Sequence, residues 1–301
     1  VTYWGVLKNG GELLLGEPEE AVLSYDREAP ADQLKAVFPA DRLWEELTEV
    51  LVYDGGEGVF RGIVDEQNTR LSEAGLSTEL VCRSREALLL DNEAEPRPIR
   101  SPSLGTLRSR LLEPLGLTRV TGSMEPARGE LTVEKGSSCW QVLAEYCRTC
   151  LGTEPYVDFD GTVCCQGRPP RRLALDRVVS AQVSRLPCKR LSAVWKQGFR
   201  GGYDAVYTDP EAGLPRRRYL SAQSGKDPRA VLDEARQAGF GLTVTCAGSW
   251  WPPHGCLADV EIPQAGRFSG RPVRQAVYCR DRNGERTRFV LEGGSANVAD
   301  R

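Results

Sequence analysis

Short alternating runs dominate the first third of the chain. Residues 75–84 set Leu76, Thr78, Leu80 and Cys82 against Ser77, Glu79, Val81 and Arg83, the period-two pattern of a half-buried strand. Residues 2–8 and 12–15 flank Asn9-Gly10-Gly11, and residues 49–53 lead through Asp54-Gly55-Gly56 into 58–65. Both are hairpin patterns with glycine turns. Residues 21–26 continue the alternation, whereas 32–37 are too short and mixed to assign. Short antiparallel strands joined by glycine turns predict a small barrel or sandwich over residues 1–95.

Glu95-Pro96-Arg97-Pro98 marks a boundary, after which the period changes. Leu104, Leu107, Leu111 and Leu112 recur at helical spacing and stop at Pro114 and Gly116. A strand over 130–133 precedes a second helix, capped by Ser137 or Ser138, which runs through Trp140, Leu143, Ala144 and Cys147 to Gly152. Residues 156–159 and 162–166 bracket Asp160-Gly161, a hairpin turn signal. Residues 96–172 therefore form an α/β middle domain. Strands return over 173–301, at 178–183, 190–197, 241–248, 275–281 and 287–291, with a helix over 227–238 that has Asp227 as its cap and Pro228 at its first position.

Composition narrows the function classes. The chain has 301 residues, 40% hydrophobic and 27% charged, an ordinary globular balance with room for two to three domains. A formal net charge of −3 gives no overall field for capturing nucleic acid or an anionic membrane, so sequence-specific nucleic-acid binding is not expected. The first residues lack the basic and apolar regions of a signal peptide, and no stretch of about 18 apolar residues exists for a membrane helix. A soluble protein made in a cytoplasm is the expectation.

Candidate chemistry is sparse. Cys147 and Cys150 form a CxxC, with Cys164 and Cys165 a hairpin's length later, but adjacent cysteines in a strand point to opposite faces. They are expected to serve as small buried hydrophobes, with no metal and no cofactor. The one histidine, His254, lies in a Pro-Pro-His-Gly loop and is expected to be a solvated turn residue. Asp158 and Asp160 flank a hairpin turn, where aspartate is expected for its turn chemistry. The neighbouring acids Glu45 and Glu46 likewise lack a second carboxylate across a cleft, so no catalytic residue is assigned. Trp250 and Trp251, adjacent and followed by Pro252-Pro253, are the interface candidates, because neighbouring side chains in an extended segment diverge.

Three blocks carry a family resemblance. Val59-Phe60-Arg61-Gly62-Ile63-Val64, residues 75–83 and Ser84-Arg85-Glu86-Ala87-Leu88-Leu89 form the first. The second is Gly136-Ser137-Ser138-Cys139-Trp140-Gln141-Val142-Leu143 with Tyr156-Val157-Asp158-Phe159-Asp160-Gly161. Residues 239–244, Gly255, Tyr278, Asn283-Gly284 and Thr287-Arg288-Phe289-Val290-Leu291 form the third. In this order they resemble the baseplate hub proteins of contractile phage tails, the tail protein D or late control protein D group with its Mu-like hubs. One departure is Pro252-Pro253-His254-Gly255-Cys256, where the family often has a Pro-Gly lead-in. The resemblance implies a mostly β chain with an α+β insert: two tail-tube-like small antiparallel β-barrels, 1–95 and 173–301, flanking the α/β middle domain 96–172. It also implies a non-enzymatic hub located in the virion tail baseplate and assembled in the bacterial host cytoplasm. Such a hub forms a homotrimer that adapts the tail tube to the central spike beside baseplate wedge proteins. A tail-associated cell-wall hydrolase and a carbohydrate-binding β-protein with Trp195, Trp250 and Trp251 as sugar platforms are the alternatives.

Overall fold

The computed structural model describes residues 1–73 and 75–293, so the last eight residues of the 173–301 segment lie outside the described residues. The chain is mostly β, with largely antiparallel sheets and a few helices. It divides into two compact units. The first takes Val1–Pro170, Gly248–His254 and Val277–Thr287, and the second takes Arg171–Ala247, Gly255–Ala276 and the chain from Arg288 onward.

Seven strands open the first unit: β1 (Thr2–Leu7), β2 (Glu12–Leu14), β3 (Glu20–Asp26), β4 (Gln33–Ala40), β5 (Leu47–Asp54), β6 (Glu57–Ser72) and β7 (Gly75–Ser84). They pair antiparallel in the order β3-β4-β7-β6-β5-β1-β2. Period-two burial follows the sequence: Leu34, Ala36 and Phe38 of β4 and Leu80 and Cys82 of β7 are buried. Two strands exceed what the sequence pattern predicts. β4 forms across the unassigned 32–37 because the register Leu34↔Cys82 and Ala36↔Leu80 gives its apolar residues buried partners. β6 continues through the polar run Glu66-Gln67-Asn68-Thr69-Arg70, held by its ladder to β7 beyond a bulge between Val64 and Glu66.

Helix α1 (Glu86–Asp91) follows β7 directly. Arg83 ties it to the sheet, with Nε 2.7 Å from Asp65 on β6 and Nη2 2.7 Å from Asp91. The middle segment then places β8 (Arg97–Arg100), α2 (Leu104–Leu107), β9 (Val120–Thr121), β10 (Glu130–Val133), α3 (Cys139–Tyr146), β11 (Tyr156–Val157) and β12 (Val163–Cys164). The helical leucines of 103–112 hold their spacing, but only Leu104–Leu107 is α-helical and Arg108–Leu112 widens into a π turn. Ser138 is the cap of α3. Its Oγ accepts from the Gln141 N–H and Gln141 Oε1 accepts from the Ser138 N–H, a reciprocal capping box.

The core of this segment centres on Tyr146, Leu143, Cys147, Leu104, Leu107, Leu112 and Leu117, all fully buried. Trp140 only packs on its margin. Cys165 turns to Cys147, and the contact with burial pushes the Cys147 thiol up, while Cys164 turns to Tyr156.

The second unit contains β13 (Arg171–Leu175), β14 (Val178–Arg185), β15 (Ala193–Lys196), β16 (Ala205–Thr208), β17 (Arg217–Leu220), α4 (Pro228–Ala238), β18 (Phe240–Ala247) and β19 (Cys256–Ile262). A long hairpin, β20 (Gly266–Asp281) and β21 (Gly284–Leu291), turns at Asn283-Gly284. β14 runs antiparallel to β18, and β19 lies between β13 and β20. A separate sheet in the order β16-β15-β17 rests on α4 through Val194, Leu220, Val231 and Leu232. Asp227 caps α4 by accepting from the Arg229 N–H at 3.2 Å, as its position before Pro228 predicts.

Candidate functional site

A buried polar cluster within the first unit is built by the ends of β4 and β7, the start of α1, the 158–162 hairpin and the 248–254 loop. His254 is not the solvated turn residue that its proline-rich loop suggested. Its side chain is only 16% exposed, and its Nε2 lies 2.7 Å from Asp32 Oδ2, a pairing across 222 residues. Tyr25 meets the imidazole edge to face at 4.5 Å and Trp251 at 5.9 Å. Aromatic packing on one side and a carboxylate on the other draw this loop inward.

Asp32 is in turn locked to β7. Its N–H donates to Ser84 Oγ at 2.9 Å, and the Ser84 N–H donates to the Asp32 carbonyl at 2.9 Å. Two residues on, the buried Glu86 accepts from the Val157 N–H at 2.9 Å, fastening the middle segment to the first sheet. Burial pushes the Glu86 carboxyl above the usual carboxylate range, against the hydrogen bonds from Ser84 and Val157 that pull it down. Arg85 is also largely buried, and desolvation lowers its guanidinium although Glu49 lies 3.4 Å away. Glu49 also pairs with Arg61 at 2.6 Å. A cavity of about 70 Å³ separates these groups, lined by Asp32, Arg61, Arg85, Glu86, Asp158 and His254 among others.

The hairpin that closes the cavity fits by two glycines. Phe159 lies over Gly58, where an added Cβ would run into its ring, and meets Tyr53 at 5.3 Å. Gly161, at φ +84°, leaves space taken by the Arg85 guanidinium. Asp158 and Asp160 serve the turn: their Oδ1 atoms accept from the Phe159 and Thr162 N–H groups at 2.9 Å, and Asp160 pairs with Arg119 at 2.9 Å.

The arrangement ties segments together. The serine hydroxyl accepts from the Asp32 N–H and engages the Glu86 carboxyl, so it bridges the strand end to the start of α1. Among the described residues no three His, Cys, Asp or Glu side chains converge as metal ligands. Of the interface candidates, Trp251 is 7% exposed and Trp250 is half-buried. Asp32, Arg85 and Glu86 escaped the sequence reading as polar partners. The signal for the latter two was their place beside Ser84 in the first family-like block, where charge stands against a strand end.

A tail protein from Neisseria meningitidis MC58 superposes with a TM-score of 0.68 at 21% identity, covering 97% of this chain and 96% of that one. The 43 kDa tail protein of prophage MuSo2 from Shewanella oneidensis gives 0.74 at 16% identity, with 96% of each chain covered. The chain has the fold of these phage tail proteins. An E. coli type VI secretion component, described as structurally similar to the T4 tail proteins gp27 and gp5, gives 0.55 at 12% identity over 95% of this chain and 76% of that one. No family model matches the sequence, and no curated protein does.

Proposed function

We propose that this chain is a structural, non-enzymatic baseplate hub subunit of a contractile tail, forming a trimeric, pseudo-sixfold ring that joins the tail tube to the central spike. The observation that carries the reading is the likeness to two phage tail proteins from end to end, with nearly all of each chain covered. In this reading the β-rich segments 1–95 and 173–301 are the tube-like barrels and 96–172 lies between them in sequence. The likeness of the type VI component to gp27 and gp5 supports a spike-side partner. Trp250, with part of its surface exposed, is the better placed of the two tryptophans for a subunit contact.

The test is co-expression with the spike and tube proteins of the same tail, followed by mass determination. A 3:3 hub–spike complex that binds tube hexamers is the expected product. A chain that stays monomeric with both partners and hydrolyses peptidoglycan would overturn the proposal.

A further inference from the structure

The near-neutral net charge conceals a polar chain. Residues 1–100 hold 21 acidic and 10 basic side chains, whereas residues 171–301 hold 22 basic and 13 acidic ones. Within the basic part, the β16-β15-β17 sheet has one face on α4 and one face open. Val194 and Leu220 point to the helix, so Trp195 and Tyr219, their neighbours in sequence and partners in register, point the other way. Their rings stack at 6.2 Å, and Tyr203 meets Tyr219 at 5.1 Å. Val206, paired with Trp195, completes the face; Tyr219 is 54%, Val206 45% and Tyr203 39% exposed. Arg217 lies on the same side two residues before Tyr219, and the exposed Phe199-Arg200 pair sits in the loop after β15.

Tryptophan, tyrosine and arginine are the residue types that concentrate binding energy at protein interfaces. An acidic surface with an apolar knob is their natural complement, and the chain carries one. The loop between β4 and β5 presents Leu43, 74% exposed, among three exposed acids, Asp41, Glu45 and Glu46, against the single exposed base Arg42; Glu46 also meets Lys8 at the surface, 3.6 Å away. A ring needs two different, complementary patches on each copy, because its contacts run head to tail. We propose that the open Trp195–Tyr219 face docks on the Asp41–Glu46 loop of a second copy of this chain. The idea rests on the ring reading above and assigns its subunit contact. Opposite charge sets the order of copies and the aromatic face supplies the desolvated centre.

Sedimentation analysis of the full chain, alone and bound to the spike protein of its tail, tests the assignment. Tyr219→Ala and Arg217→Glu are each expected to weaken self-association on the order of thirtyfold, as loss of an interface hot spot does. Added salt weakens the wild type as well. Reversing the loop in the same chain, Glu45→Arg with Glu46→Arg, is expected to restore association to Arg217→Glu, which a misfolded variant could not show. Unchanged association in both single variants overturns the docking face and leaves the ring reading standing. Weakening without rescue overturns the pairing with the 41–46 loop. A wild type monomeric both alone and on the spike overturns ring and contact together.

Discussion

Glu86 shows how one residue can hold two segments and remain a liability. It is 6% exposed and accepts the Val157 N–H, so its oxygen replaces a backbone partner that β11 would otherwise lack. Its charge is the cost, since burial and the nearby Asp32 both favour the protonated carboxyl in the folded chain. A carboxyl held above its unfolded value contributes stability that is fully present below about pH 4.3 and is lost as pH rises through the raised value. Glu86→Gln keeps the acceptor and removes the charge. Its unfolding free energy should therefore gain on the wild type as pH rises through that window, whereas Glu86→Ala, which strands the N–H, should cost about 1–3 kcal/mol. Denaturant titrations at several pH values check this, and a Gln-to-wild-type gap independent of pH would refute it.

At the scale of elements, helix α3 separates what a pattern can tell from what packing decides. A serine cap at 137 or 138, the Gly152 end and the helical period were visible in the sequence, because they depend on neighbours within a few residues, and the structure makes Ser138 the cap. Which side of the helix becomes the core was not. Trp140, Leu143 and Cys147 share a stripe, yet the fully buried centre is Tyr146 beside Leu143, and the large indole lies at the margin. Tyr146→Ala should cost about 3–5 kcal/mol, in the range of large-to-small core changes, and Trp140→Ala clearly less. Equal losses in denaturant unfolding would mean that the indole carries the core after all. The same limit hid β16 and β17, whose short runs Ala205–Thr208 and Arg217–Leu220 become strands only by pairing with β15. It also hid His254, whose environment is set by Asp32 at a separation of 222 residues. Hairpins were legible where a glycine turn joined them, and long-range partners were not.

For the molecule as a whole, the order of segments along the chain differs from their grouping in space. The first compact unit closes with two late segments, Gly248–His254 and Val277–Thr287. Each brings something that the preceding 170 residues cannot supply. His254 faces Asp32, which is 7% exposed and would otherwise keep a buried carboxylate without its imidazole partner. Tyr278 is buried and sets its hydroxyl toward Tyr3, also buried, where desolvation pushes the Tyr3 phenol up to about 12. Arg280 adds an ion pair to Glu17 at 3.0 Å. Removing all three opens a polar cluster and an aromatic contact at once, and losses of this kind within one core exceed what a marginally stable domain tolerates. A fragment ending at Pro170 should therefore retain strand content in the far-UV circular dichroism spectrum but lose its near-UV signal and bind a hydrophobic dye, the behaviour of a compact chain without fixed packing. The full chain should show neither change. A fragment with a sharp melt and native near-UV signal would show that the first 170 residues close their own core and that the returning segments only decorate it.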